Sequence, residues 1–139
     1  LAVFANGVIG PSNGYDHVIA SYSYKDDKVI TAEGGWMMQQ GFGFKMAFSI
    51  IMEEATIVYD ITQTPTFKIF TNNNEVLSPK LMTTDGYFIE ITEFAKAVQK
   101  GSVSSIIDPV ESRKSLQLAL AEKQSLSSHK ETKIAFTDE

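Results

Sequence analysis

The spacing of apolar residues changes partway along this chain, and that change limits what it can fold into. In the run from Phe42 to Ile50, Phe42, Phe44, Met46, Phe48 and Ile50 fall on one side, and Lys45, Ala47 and Ser49 on the other. A period of two belongs to a strand. Later, Tyr87, Ile91, Phe94, Ala95 and Val98 follow i, i+4, i+7, i+8, i+11, the stripe of an amphipathic helix. Strands first and helices afterwards specify an α+β fold.

The first half divides into strands at its turn signals. Leu1 to Ile9 is apolar and stops at Gly10-Pro11-Ser12-Asn13-Gly14, a dense turn cluster. Asp16 to Lys25 is rich in β-branched and aromatic residues, Asp26-Asp27-Lys28 reads as a tight connection, and Val29 to Met38 returns. The alternating run comes next, then a polar turn at Glu53-Glu54 and a strand from Ala55 to Ile61. Phe67 to Thr71, Asn72-Asn73-Asn74 and Glu75 to Ser78 make a second hairpin. Short turns between successive strands imply antiparallel pairing. The expectation is an open, predominantly antiparallel sheet of six or seven strands, with two C-terminal helices packed on one face.

Helix boundaries are written in the residues. Thr84 or Asp85 can cap the first helix and Gly101 can end it. Asp108, Pro109 and Glu111 supply an N-cap, a first-turn proline and an early acid for the second. That helix should fade near Ser127-Ser128, and Lys133 to Phe136 reads as a last short strand.

Length and charge narrow the function classes. The chain has 139 residues, which suits one domain spanning 1–139. A net charge of -5 opposes a nucleic-acid surface, and no apolar run is long enough for a membrane span. There is no cysteine, which excludes thiolate metal sites and a cysteine nucleophile and fits a cytoplasmic setting. Leu1 to Ala5 is too short and lacks the basic flank of a signal peptide. The chain opens directly on a strand-like run without Met, as though cut from something longer.

Several residues look chemical and are outweighed by plainer readings. Gly41, Gly43 and Ala47 have the spacing GxGxxxA, but the residues from Phe42 to Ile50 alternate, whereas a dinucleotide loop must open a helix. His17 and His129 have no second ligand-type residue at metal spacing and no nucleophile partner. Glu90, Glu93, Glu53 and Glu54 read as solvated positions, and Lys45 reads either as an anion contact or as a solvent-facing residue. No catalytic set emerges from spacing. The aromatic load of Tyr22, Tyr24, Trp36, Phe42, Phe44, Phe48 and Tyr59 is more informative. Ile50-Ile51-Met52 and Ile57-Val58-Tyr59 are apolar on both faces, so a second subunit or domain is expected on the open face of the sheet.

The order of elements resembles the C-terminal domain of the Gfo/Idh/MocA oxidoreductases (glucose-fructose oxidoreductase, inositol dehydrogenase and relatives). "YDHVIASYSYKDDKVITAEGGW" is similar to that family's paired strands, "GFGFKMAFSIIMEEATIVYD" to its next two, and "DGYFIEITEFAKAVQKG" with "DPVESRKSLQLALAEKQS" to its terminal helix pair. The resemblance implies a longer parent whose N-terminal Rossmann domain, absent here, binds NAD or NADP. It implies hydride transfer to or from a sugar, polyol or related hydroxyl compound, and a homo-oligomer formed through the sheet face. The family's "EKP" lysine and its "G-x-H-D-x-D" segment have no counterpart, and His17 matches a later strand "DH" instead. No catalytic, cofactor-binding or metal residue is therefore assigned, and the chain alone is expected to be inactive. Trp36, Gln39, Gln40, Phe42 and Tyr87 are the substrate-side residues that the resemblance implies. Phe42-Gly43-Phe44 stands where relatives have Y-G-Y, which removes a hydroxyl. The competing reading is a free-standing α+β module that binds a small ligand or partner without catalysis.

Overall fold

The computed structural model describes residues 1–26, 28–104 and 106–136. Two compact units divide the chain: Leu1–Met38 with Gly86–Glu139, and Gln39–Asp85. The fold is α+β, with antiparallel strands followed by two helices.

In the first unit β1 (Ala2–Ile9), β2 (Tyr15–Ser23), β3 (Val29–Gly35) and the short β8 (Thr132–Lys133) form a sheet in the order β3-β2-β1-β8. Helix α2 (Pro109–Ser128) packs on β1 and β8. Val3 lies opposite Tyr22 and Ala5 opposite Ala20, so these four side chains share one face. That face buries them against Ala121 and Leu126 of α2, with Leu1, Val18, Leu118 and Ile134 packed around. Burying Val3 and Leu126 contributes ~1.5–3 kcal/mol each. Small residues let the helix sit close to the strands. At Gly7 an added Cβ would lie 3.0 Å from Leu126 Cδ2 and 2.9 Å from the His17 carbonyl oxygen.

A buried serine completes the edge of this sheet. Strand β8 pairs with Ala2 and Val3 of β1. Beyond its end, the Ala5 amide donates to Ser125 Oγ at 3.0 Å, and that hydroxyl donates to the Lys130 carbonyl at 2.7 Å. One helix hydroxyl thus stands where a ladder bond would otherwise run, and it satisfies both backbone groups.

The β1–β2 turn is held by Asp16. The Ser12 amide donates to Asp16 Oδ2 at 3.0 Å and the Ser12 hydroxyl donates to Asp16 Oδ1. These bonds, the hydroxyl's first, lower the Asp16 pKa. Asn13 takes a left-handed φ of 63° within the turn, a conformation asparagine tolerates. The connection expected at Asp26-Asp27-Lys28 includes Asp27, which lies outside the described residues.

The second unit is a sheet in the order β4-β5-β6-β7, built from β4 (Ala47–Ile51), β5 (Ala55–Asp60), β6 (Phe67–Thr71) and β7 (Val76–Leu77). Asn74, at a φ of 62°, closes the β6–β7 turn where three asparagines mark it. The register places Phe48, Tyr59 and Phe67 in one cross-strand row and Ile50, Ile57, Ile69 and Leu77 in another, on the same face. The Phe48 and Tyr59 rings stack with centroids 5.4 Å apart.

Three features differ in detail from the sequence expectation. The strands fall into two four-stranded sheets instead of one of six or seven. The short members β7 and β8, two residues each, overlap segments read as strands, Glu75 to Ser78 and Lys133 to Phe136, but neither segment records which sheet it joins. Strand β4 starts at Ala47, not Phe42, because Gly41 and Gly43 have φ of 98° and 75°, which no strand residue adopts. Helix α1 (Gly86–Lys100) has no buried residue. Its stripe of Tyr87, Ile91, Phe94 and Val98 is exposed, whereas Ile89, Thr92, Glu93 and Ala97 are half-buried. The caps match closely. Gly101 follows α1 in the left-handed region at 63°, and the Asp108 side chain accepts from the Val110 amide at 2.9 Å with Pro109 opening α2. The last strand, expected at Lys133 to Phe136, is β8, which starts one residue earlier and ends three residues earlier.

Candidate functional site

Trp36 stands just past the end of β3. Its amide donates to the Asp16 carbonyl at 2.7 Å, and 88 % of the residue is exposed. Its backbone is fixed to the first sheet while the indole projects into solvent. Rigid backbone under an exposed aromatic is the arrangement a stacking surface needs.

Tyr87 occupies the first turn of α1 and is 74 % exposed. It lines a cleft of about 620 Å³ with Glu90, Ile91, Phe94, Ile107, Pro109 and Ser112. Aromatic and aliphatic side chains form most of that wall. Glu90, Ser112 and the Tyr87 hydroxyl supply polar groups that can orient a ligand. A smaller depression of about 420 Å³ adjoins it, lined by Glu90, Asp108 and Glu111 among others. The sequence marks Tyr87 but not the cleft. The far wall comes from Ile107, in the segment that links the helices, and from Pro109, the first residue of α2; only the Ile106-Ile107 pair hints that the linking segment carries apolar surface.

Gln39, Gln40 and Phe42 belong to the second unit and share one turn. The Phe42 amide donates to the Gln39 carbonyl at 3.0 Å. Gly41 sits at the third position with a φ of 98°, as a type II turn demands. Among the described residues, a Cβ on Gly41 or Gly43 would meet nothing within 4 Å beyond its chain neighbours, so glycine serves the backbone there and not close packing. Both glutamine side chains and Phe42 are exposed. Of the five substrate-side residues, these three are neighbours in one loop, and Trp36 and Tyr87 sit on separate elements of the other unit.

The element after Gly41-Phe42-Gly43 is a strand, β4. A dinucleotide phosphate needs the N-terminus of a helix at that point, so this loop does not fit one. His17 Nε2 approaches Glu33 Oε1 at 3.2 Å as a cross-strand pair. His129 caps the C-terminus of α2 with a φ of 54°. Among the described residues, no group of three or more His, Cys, Asp or Glu side chains could hold a metal ion. Among the same residues, no helix is long and apolar enough to cross a membrane.

No protein-family model and no curated protein matches the chain. Solved structures do. Levoglucosan dehydrogenase in complex with NADH and L-sorbose superposes with a TM-score of 0.76 at 16% identity, over 98% of this chain and 45% of that one. Its complex with NADH and levoglucosan gives 0.75 at 16% identity, over 96% and 44%. UDP-N-acetylglucosamine 3-dehydrogenase GnnA from Acidithiobacillus ferrooxidans gives 0.76 at 18% identity, over 91% and 40%. Both enzymes are Gfo/Idh/MocA oxidoreductases. The chain spans less than half the length of these structures, and it has the fold of the part of them that it covers.

Proposed function

We propose that this chain is the C-terminal, substrate-side and oligomerisation domain of a Gfo/Idh/MocA oxidoreductase. The parent would act on a sugar, polyol or related hydroxyl compound with NAD or NADP. One observation carries the reading: nearly the whole chain superposes on less than half of two different sugar dehydrogenases. The nicotinamide, held by a Rossmann domain elsewhere in the parent, supplies hydride acceptance. Trp36 offers a face for a sugar ring, Gln39 and Gln40 offer amide hydrogen bonds to hydroxyls, and Phe42 and Tyr87 offer apolar walls. With no catalytic residue assigned, the chain alone is inactive in this reading. The cysteine-free composition supports a cytoplasmic setting.

The test is to express the complete reading frame that encodes this chain and to follow nicotinamide reduction with a panel of sugars and polyols. Turnover by the complete product, and none by the 139-residue chain, is the expected outcome. A complete product that binds no nicotinamide nucleotide and turns over nothing would overturn the reading and favour a free-standing binding module.

A further inference from the structure

The chain contains two Asn-Gly pairs, Asn6-Gly7 and Asn13-Gly14, and both asparagines are exposed. The pairs have the same local chemistry but different backbones. Asn6 and Gly7 lie within β1, registered against Ile19 and Val18. The space beside Gly7 is closed by the His17 carbonyl and Leu126 Cδ2, at 2.9 and 3.0 Å from an ideal Cβ. Asn13 and Gly14 lie in the β1–β2 turn. Asn13 is left-handed there, and among the described residues beyond its chain neighbours an ideal Cβ on Gly14 would meet Ser12 Oγ alone, at 3.4 Å. The Gly14 amide donates to that same hydroxyl at 3.2 Å, in an exposed bond.

We propose that Asn13 is a site of spontaneous deamidation through a cyclic imide. The Gly14 nitrogen gives its proton to solvent base and attacks Asn13 Cγ. The new N–Cγ bond forms, the Cγ–Nδ2 bond breaks, and Nδ2 leaves as ammonia. One water then opens either ring carbonyl and yields aspartate or isoaspartate. No electron is exchanged, and water is the only co-reactant. A glycine on the C-terminal side leaves the attacking nitrogen unshielded, and a turn lets the backbone rotate to bring it onto Cγ. Within β1 that rotation requires the strand to open first. The product carboxylate arises three residues from Asp16, whose own carboxylate holds the turn through Ser12. Isoaspartate also adds a backbone carbon to the same turn. The modification therefore adds negative charge to the β1–β2 connection and loosens it with age.

The intact chain, incubated in mildly alkaline buffer and mapped by peptide mass spectrometry, tests this. Aspartate and isoaspartate at position 13 should accumulate at least about tenfold faster than at position 6, and the two rates should converge in denaturant. Gly14→Ala, its fold checked by circular dichroism, should slow the reaction at Asn13. Equal rates at Asn6 and Asn13 in the folded chain, or no effect of Gly14→Ala, would overturn the proposal.

Discussion

Ser125 shows how much one atom can carry. Its side chain is fully buried and its hydroxyl satisfies a strand amide and a loop carbonyl together. Ser125→Ala leaves the Ala5 amide without that acceptor and the Lys130 carbonyl without that donor. We expect a loss of about 1–3 kcal/mol in urea unfolding, and an unchanged midpoint would refute the bridging role. Asp16 is the second such residue. Hydrogen bonds from Ser12 depress its folded pKa below the ordinary 3.8. The folded state then binds fewer protons than the unfolded state in that window. The stabilisation is present above the unfolded value and disappears as pH falls through the folded one. Ser12→Ala should lower the melting temperature at neutral pH, with the difference vanishing in acid below that window. A difference that persists unchanged in strong acid would show that the serine acts by another route. Nothing in the linear sequence marked Ser125. A serine in a helix interior reads as solvated, and its burial is decided by β1, more than a hundred residues away.

At the scale of elements, legibility tracked how local the cause was. The start of α2 was readable because Asp108, Pro109 and the Val110 amide are neighbours in sequence. Asp108→Ala should cost about 1 kcal/mol, seen as a lower thermal midpoint with α2's helical signal reduced first; full retention of both would deny the cap its role. The alternation from Phe42 to Met46 misled because period two describes side-chain chemistry without regard to backbone. Two glycines with positive φ turn that segment into a loop, and the strand signal holds only from Ala47. In α1 the helix and its end were legible, but the direction its apolar stripe faces was not. Orientation depends on what packs against a helix, and its own sequence does not contain that.

For the whole molecule, the informative surface is the face of the second sheet bearing Phe48, Tyr59, Phe67, Ile50, Ile57, Ile69 and Leu77. It carries no charge, and β4 is exposed along its whole length. Such a face can pack on a second sheet at about 10 Å. We expect the chain to associate as concentration rises in sedimentation or light scattering. Ile50→Lys, which buries nothing new, should shift it towards the monomer. A wild-type chain that stays monomeric at the highest attainable concentration would remove the case for oligomerisation through this face.

Local residue patterns were enough to specify the element types, their order, the helix ends and the β6–β7 turn, and through these the resemblance that the solved structures support at the level of fold. All of these depend on interactions within a few residues. Tertiary structure alone decided that the strands separate into two sheets, that α2 and not α1 covers the first of them, that a serine hydroxyl finishes its edge, and that Tyr87 shares a cleft with Ile107 and Pro109. Those outcomes come from competition among distant surfaces for burial and for hydrogen-bond partners, and a local pattern holds no record of which surface wins.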